Sequence, residues 1–325
     1  MDEYNYILVS PDGTYANAMW NDINLLQNGL LFTSPLATKN KLLRIIHHVH
    51  SSFALNSVVN LPGKRIWNYL YSLNEVDLNN GKYIIILPDN SACRFNRDYL
   101  KMLGKMPNVK LVLVNVNVYQ EKYKLLQERI KYFDLVFSFD KGDCEKFGFI
   151  YHPTNYSYMN MICEKKIKSD IFFIGNNKGR LPMINKIFRL IETKNGICDF
   201  WINKVDKQDR ITKNTIKYNK WLDYKQILEK VNTSNCLLDI VSKGQEGITL
   251  RTMEAIVYNK KLLTNNPNVK ELKFYHSGFI QYFESIEEID IDFVLKKEKV
   301  EYNYKNEFSP VHLVEHIKEE LGLDD

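Results

Sequence analysis

The stretch Asn235-Cys-Leu-Leu-Asp-Ile240, Val241-Ser-Lys-Gly-Gln-Glu-Gly-Ile248, Thr249-Leu-Arg-Thr-Met-Glu-Ala-Ile256 decides how this chain is read. Its first part is a short apolar run of strand length. Its second part carries Gly244 and Gly247, which suit a turn where backbone approaches a ligand closely. Its third part opens with Thr249, a residue suited to N-cap a helix. A strand that passes through a glycine loop into a helix is half of a βαβ unit, and the surrounding sequence repeats the pattern. Upstream, a strand is predicted over 170–174, followed by Gly175-Asn-Asn-Lys-Gly-Arg180 and a helix over 181–193. A strand over 199–202, a strand over 217–221 and a helix over 224–231 come next. Downstream, a helix over 249–258 leads to a strand over 261–264.

The first half has the same construction. Strands are predicted over 6–9, 83–87, 109–115 and 135–139, with the Ile/Val/Leu density of strands buried on both faces. Helical patterns fall over 40–56, 63–73 and 120–131. Between the halves, 151–168 breaks the rhythm with Pro153, several Asn and Tyr residues and a charged run. The predicted architecture is therefore α/β, two Rossmann-like domains facing a cleft. The expected boundaries are 1–158 for the first domain and 168–305 for the second. A tail, 306–325, carries an amphipathic helix over 310–321. In open parallel sheets, ligands bind beyond the carboxyl ends of the strands, so those loops are where chemistry is expected.

Bulk properties narrow the classes. With 325 residues and 45% hydrophobic content, each half can bury its own core. The net charge of +5 comes from scattered Lys and Arg. Nucleic-acid binding calls for a clustered stripe, so no nucleic-acid partner is expected. Five cysteines without a C-x-x-C pair argue for free thiols rather than zinc or a disulfide framework. The acidic start of the chain is not a signal peptide, and no apolar run has the ~20 residues of a membrane helix. The chain reads as cytoplasmic, and its mild basicity is compatible with peripheral contact at the inner membrane face.

Two loops of the second half are candidate ligand sites. In the first, Gly175 and Gly179 allow tight turns, while Lys178 and Arg180 stand beside a helix N-terminus. Cations oppose the helix dipole there unless an anion such as a diphosphate lies between them. A solvated turn with two surface cations is the alternative. In the second, Lys243, Gly244, Gln245, Glu246 and Gly247 precede Thr249, Arg251 and Glu254. Glu246 and Glu254 stand eight apart. Glu254 is placed to accept hydroxyl hydrogen bonds, or to pair with Arg251 three residues earlier.

The stretches Asp170–Leu181, Leu237–Ile240, Gln245–Ala255 and Lys260–Asn266 together resemble bacterial glycosyltransferases of the GT-B fold, in particular those of lipopolysaccharide or capsular polysaccharide synthesis. The resemblance extends to Phe133–Lys141 and Tyr151–Pro153, and is weak before residue 130. It implies a nucleotide-sugar donor in the second domain and a glycan or lipid-linked glycan acceptor on the first. Lys178 and Arg180 would meet the diphosphate, Glu246 the donor sugar, and Glu254 the ribose. Gln245, Gly247, Thr249 and Arg251 would line the same site. The nucleobase would lie near the loop before Tyr224, with Tyr224 or Trp221 available for stacking and Trp221 expected beneath the helix. On the acceptor side Asp12 is the best-placed carboxylate for catalysis, with Asp89 and His50 as further base candidates. His47 and His50 share a helix face without a third ligand. Asp290-Ile-Asp292 falls in a strand-like run. No metal and no cofactor beyond the donor itself are expected. A non-catalytic partner subunit and a nucleotide-sugar epimerase of the same fold remain as alternatives.

Overall fold

The computed structural model describes residues 3–13, 18–56, 58–59, 61–119, 124–161, 166–211, 216–241 and 247–323. The chain divides into two compact units. One comprises Met1–Ser157 with Phe308–Asp325, the other Tyr158–Glu307.

The first unit is built on strands β1 (Tyr4–Val9), β2 (Gly29–Phe32), β3 (Lys82–Pro88), β4 (Val109–Asn115), β5 (Leu135–Ser138) and β6 (Ile150–Tyr151). They form one sheet in the order β2-β1-β3-β4-β5-β6. All its pairings are parallel. The core side chains explain why these segments are strands. Ile85, Leu87, Leu111 and Leu113 line one face of the sheet against Tyr71, Phe95, Leu100 and Leu126. The chain end returns to this unit as the helix Val311–Glu320, which buries Leu313, Val314 and Ile317. Ser309 donates to the buried Asp22 at 2.8 Å, and the Tyr156 amide donates to the Phe308 carbonyl at 2.7 Å.

The second unit uses β7 (Ser169–Asn176), β8 (Cys198–Asn203), β9 (Ile216–Tyr218), β10 (Ser234–Asp239), β11 (Lys261–Thr264) and β12 (Ile280–Tyr282). Their order is β12-β11-β10-β7-β8-β9, again wholly parallel. Counted within the unit this is the 3-2-1-4-5-6 order of a doubly wound Rossmann sheet, whose direction of winding reverses between β7 and β10. The first sheet reverses between β1 and β3.

Three expectations are corrected. The 63–73 stretch is not a regular helix but two 3₁₀ turns, Lys64–Tyr69 and Ser72–Glu75. Gly63 enters the first at φ +77°, and Tyr71 between them is committed to a bridge with Leu36. The helix expected over 40–56 breaks after Lys41–His50, where the Ser51 hydroxyl bonds the His47 carbonyl at 2.7 Å. The run from Ile289 is a short helix, Ile291–Leu295, rather than a strand. Asp290 caps it by accepting from the Asp292 amide, so the D-x-D pair serves a helix start. The strands β2, β6 and β12 were not anticipated; all are two to four residues long. They lie at the sheet edges and are too short to show as a run.

Candidate functional site

In the second unit, the two loops expected to hold a ligand leave β7 and β10, the two strands that flank the reversal. The first makes a tight turn. Lys178 and Gly179 have φ of +44° and +79°, and the Arg180 amide donates to the Asn177 carbonyl at 2.8 Å. Two successive positive φ values are what a type I′ turn demands, and glycine meets that demand without strain. The Asn177 side chain then accepts from the Leu181 amide at 3.0 Å, satisfying one of the open donors of the helix Leu181–Glu192.

Arg180 joins the two strand ends. Its guanidinium donates to the carbonyl of Asn176 at 2.5 Å, to that of Asn177 at 3.3 Å, and to that of Ile240 just past β10. It also lies over the Phe173 ring. The cation beside a helix N-terminus is therefore already balanced by carbonyl dipoles at the ends of the strands. Gly175 makes room for it, since a Cβ there would meet the guanidinium at 3.0 Å. Lys178 is exposed and has no hydrogen bond or ion pair among the described residues.

Next to Ile240, Asp239, buried at the end of β10, accepts from the hydroxyls of Thr249 at 2.8 Å, Thr252 at 3.2 Å and Thr264 at 3.4 Å. Burial pushes its pKa up, and the Thr249 and Thr252 hydroxyls oppose that shift. Thr249 caps the helix Leu250–Val257, accepting from the Thr252 amide while donating to Asp239. Asn265 accepts from the Val241 amide at 2.8 Å, and Asn266 donates to the Gly247 carbonyl at 3.1 Å. The two asparagines thus grip both ends of the second loop. Asp239 and the asparagine pair were missed as site residues. The signal was an Asn-Asn pair directly after a buried strand, where side-chain amides substitute for absent sheet partners. Lys243, Gly244, Gln245 and Glu246 lie outside the described residues.

Glu254 is fully buried. Its Oε1 accepts from the Tyr224 hydroxyl at 2.8 Å, and its Oε2 is held by Arg251. Burial raises its pKa, with Arg251 pulling the other way. The pairing with Arg251, one of the two readings of the sequence, is the one present, and both oxygens have protein donors. Arg251 also lies over the Phe172 ring. The aromatic expectation is reversed. Tyr224 is 2% exposed with its hydroxyl committed to Glu254, whereas Trp221 is 77% exposed. The capping box of Asp223 and Gln226 turns the helix start so that Tyr224 faces inward.

In the first unit, Asp12 lies beyond β1 in an ion pair with Arg44, both well exposed. Asp89 lies directly beyond β3, buried, with Asn117 donating to its carboxylate at 3.1 Å and the Asn90 amide at 2.6 Å. Burial raises its pKa to about 6, against the lowering effect of the Asn117 side chain. Next to β3, at the end of β4, Asn115 is buried with no partner for either side-chain atom among the described residues, as is the Ser91 hydroxyl. His47 is buried and bonded to the Arg94 carbonyl at 2.9 Å, and burial lowers its pKa to about 4. His50 accepts from the Trp67 indole at 3.1 Å. Among the described residues no three His, Cys, Asp or Glu side chains converge as a metal site, and no helix is long and apolar enough to cross a membrane.

No protein-family model matches the chain, and no curated protein matches it. Solved structures do share its fold. An alpha-glucosyltransferase in complex with UDP superposes with a TM-score of 0.62 at 10% identity, covering 98% of this chain and 99% of that one. An alpha-glucosyltransferase with UDP and a 13-mer DNA containing an A:G mismatch gives 0.56 at 12% identity, covering 86% of each chain. A putative UDP-N-acetylglucosamine 2-epimerase from Listeria monocytogenes gives 0.53 at 11% identity, covering 100% of this chain and 98% of that one. At these identities the likeness establishes architecture: this chain has the two-domain α/β fold of the GT-B type.

Proposed function

We propose that this protein transfers a glycosyl group from a UDP-sugar to a hydroxyl acceptor. The observation that carries the reading is the Arg180 guanidinium fixed at the β7/β10 reversal, in a fold that matches a UDP-bound glucosyltransferase along nearly its full length. A fixed cation flanked by the exposed Lys178 and the start of the helix Leu181–Glu192 suits a leaving diphosphate. Pre-set bonds hold the charge in place, so little reorganisation is needed as negative charge develops. In this scheme Glu254 acts as a positioning residue that orients Arg251 rather than as a ribose acceptor, and Trp221 is the aromatic free to stack on a base. Gln245 and Glu246 keep the donor-side roles that the family resemblance implies, and Lys243 and Gly244 stay as substrate-binding candidates of the same loop. Neutralisation by side chains and helix dipole needs no metal, so activity should survive EDTA.

On the acceptor side we put forward Asp89 over the ion-paired Asp12 as general base, because a pKa near the working pH suits proton abstraction. The acceptor we favour is a bacterial surface glycan of lipopolysaccharide or capsule, lipid-linked during assembly in the cytoplasm. DNA accompanies one of the similar enzymes, so the exclusion of nucleic acid read from charge alone is withdrawn and DNA belongs in the acceptor panel.

The test is a thermal-shift panel of UDP-, GDP-, CMP- and TDP-sugars, since a ligand of the folded state raises its melting temperature. Stabilisation by UDP-sugars alone is expected; no response to any nucleotide sugar rejects the reading. The epimerase-like structure supports one second reading. Product analysis without acceptor separates the two, because epimerisation needs none. A non-catalytic partner subunit would bind a second protein and transfer no sugar with any donor.

A further inference from the structure

The helix Lys41–His50 is packed inside out. Apolar residues recur at Leu42, Ile45, Ile46 and Val49, the spacing of one helix face, yet that face is exposed. Leu42 is 64% exposed and Ile45 60%, whereas the helix's buried residue is His47. Two segments tied to this helix expose apolar side chains as well. Asn56 donates to the His50 carbonyl at 2.8 Å, and Val58, three residues from Leu55, is 82% exposed. The 3₁₀ turn Lys64–Tyr69 is joined through Trp67 to His50 and exposes Ile66 and Tyr69. A run of apolar side chains this large on one surface marks a binding face.

Beside the patch is a cavity of about 210 Å³, lined in part by Lys64, Arg94, Arg97 and Arg129, with Glu128 the single carboxylate among the described residues that line it. Glu128 pairs with Arg97, at the exposed rim. Arg94 uses one nitrogen, donating to His48 at 2.7 Å and Ser51 at 3.1 Å; its other two nitrogens make no hydrogen bond among the described residues. Lys64, also bonded to Asn56, has its pKa lowered by burial and then by Arg129, which itself donates to the Phe95 carbonyl. Like charges gathered around a cavity are stabilised by an anion. A duplex backbone needs an extended basic stripe, whereas these cations converge on a confined pocket.

We propose that this surface docks on a membrane through a lipid with a phosphomonoester headgroup, the phosphate in the Arg94–Lys64 pocket and the Leu42/Ile45/Val49 face in the acyl boundary. Apolar area and basic charge side by side are the two signals that stable peripheral binding requires. Lipid binding here does not depend on glycosyl transfer, so it can fail while the donor reading stands, and the reverse.

The experiment is flotation of the full chain with vesicles of phosphatidylcholine alone and of phosphatidylcholine doped with phosphatidic acid. Binding to the doped vesicles is expected. The double variant Leu42→Asp, Ile45→Asp, on exposed positions, should weaken it at least about a hundredfold through lost apolar insertion. Lys64→Gln with Arg94→Gln should remove about tenfold of the preference for phosphatidic acid. Should the pocket variant misfold, amide exchange of the wild-type chain over 47–51 and 93–97 replaces it, with slowing by doped vesicles expected. Absence of binding to either vesicle, or binding unchanged by the aspartates, overturns the proposal. So does a concentration-dependent dimer, abolished by the same aspartates, in a protein that ignores vesicles: the patch would then join two copies of this chain.

Discussion

The winding reversals of the two sheets are built on opposite lines. At the β7/β10 reversal nearly every polar group is tied to protein: Arg180 clamps two strand ends, Asp239 gathers three hydroxyls, and Asn265 and Asn266 hold both ends of one loop. Near the β1/β3 reversal of the first sheet, Asn115 and Ser91 are buried with side chains unpartnered among the described residues, and burial raises the Asp89 pKa to about 6. One reversal is pre-set and the other has donors and acceptors to spare. A diphosphate donor common to many transferases suits a rigid cradle, whereas an acceptor hydroxyl must be recognised and deprotonated by groups not already spent.

The sharpest break of that contrast is Asp89→Asn. If Asp89 takes the acceptor proton, turnover should fall about a hundredfold or more. The wild-type rate should rise with pH through about 6, and the variant should lose that limb. An unchanged pH-rate profile would return the base role to Asp12. Stability moves the other way. Asp89 has a folded pKa above its unfolded value, so its contribution to stability is full below about pH 3.8 and is lost as pH rises through about 6.

Asp239→Ala tests the tied reversal. Three hydroxyls lose their acceptor, and a loss of about 3 kcal/mol in urea unfolding is expected. A loss below half of that would mean the reversal holds without its hub.

Acid separates the units again. His47 and His152, both in the first unit, have pKa values lowered from 6.5 to about 4 by burial, so the stability they contribute is present above pH 6.5 and lost as pH falls towards 4. His152 also meets His316 of the terminal helix, Nδ1 to Nδ1 at 3.2 Å. Amide exchange at pH 4.5 should accelerate over 311–320 before it does over the second sheet. His152→Gln should remove that early opening.

The smallest effects are local. Thr249→Ala should cost about 1 kcal/mol through the lost cap. Gly179→Ala, at φ +79°, should cost about the same through left-handed strain. Chemical denaturation resolves both, and a neutral Gly179→Ala would mean that the turn relaxes into another shape.

The legibility of the chain follows the same contrast. The sequence alone determined what depends on near neighbours. Buried parallel strands show as dense Ile/Val/Leu runs, so β4 and β11 were read to the residue. Caps and turns are local too, and Thr249 and the Lys178-Gly179 turn were visible for that reason. Tertiary structure decided what depends on residues far apart in the chain. Glu254 was a ribose ligand or a partner of Arg251 until Tyr224, thirty residues upstream, donated to it. Arg180 had a conflict with the helix dipole that the Ile240 carbonyl, sixty residues on, resolves. Asp89 acquired its raised pKa from burial, which outweighs the lowering effect of Asn117, twenty-eight residues on. The face of Lys41–His50 is the clearest case: its period predicts an amphipathic helix, and only packing could decide that the apolar side turns outward, because a hydrophobic pattern specifies which residues share a face and not what that face will meet.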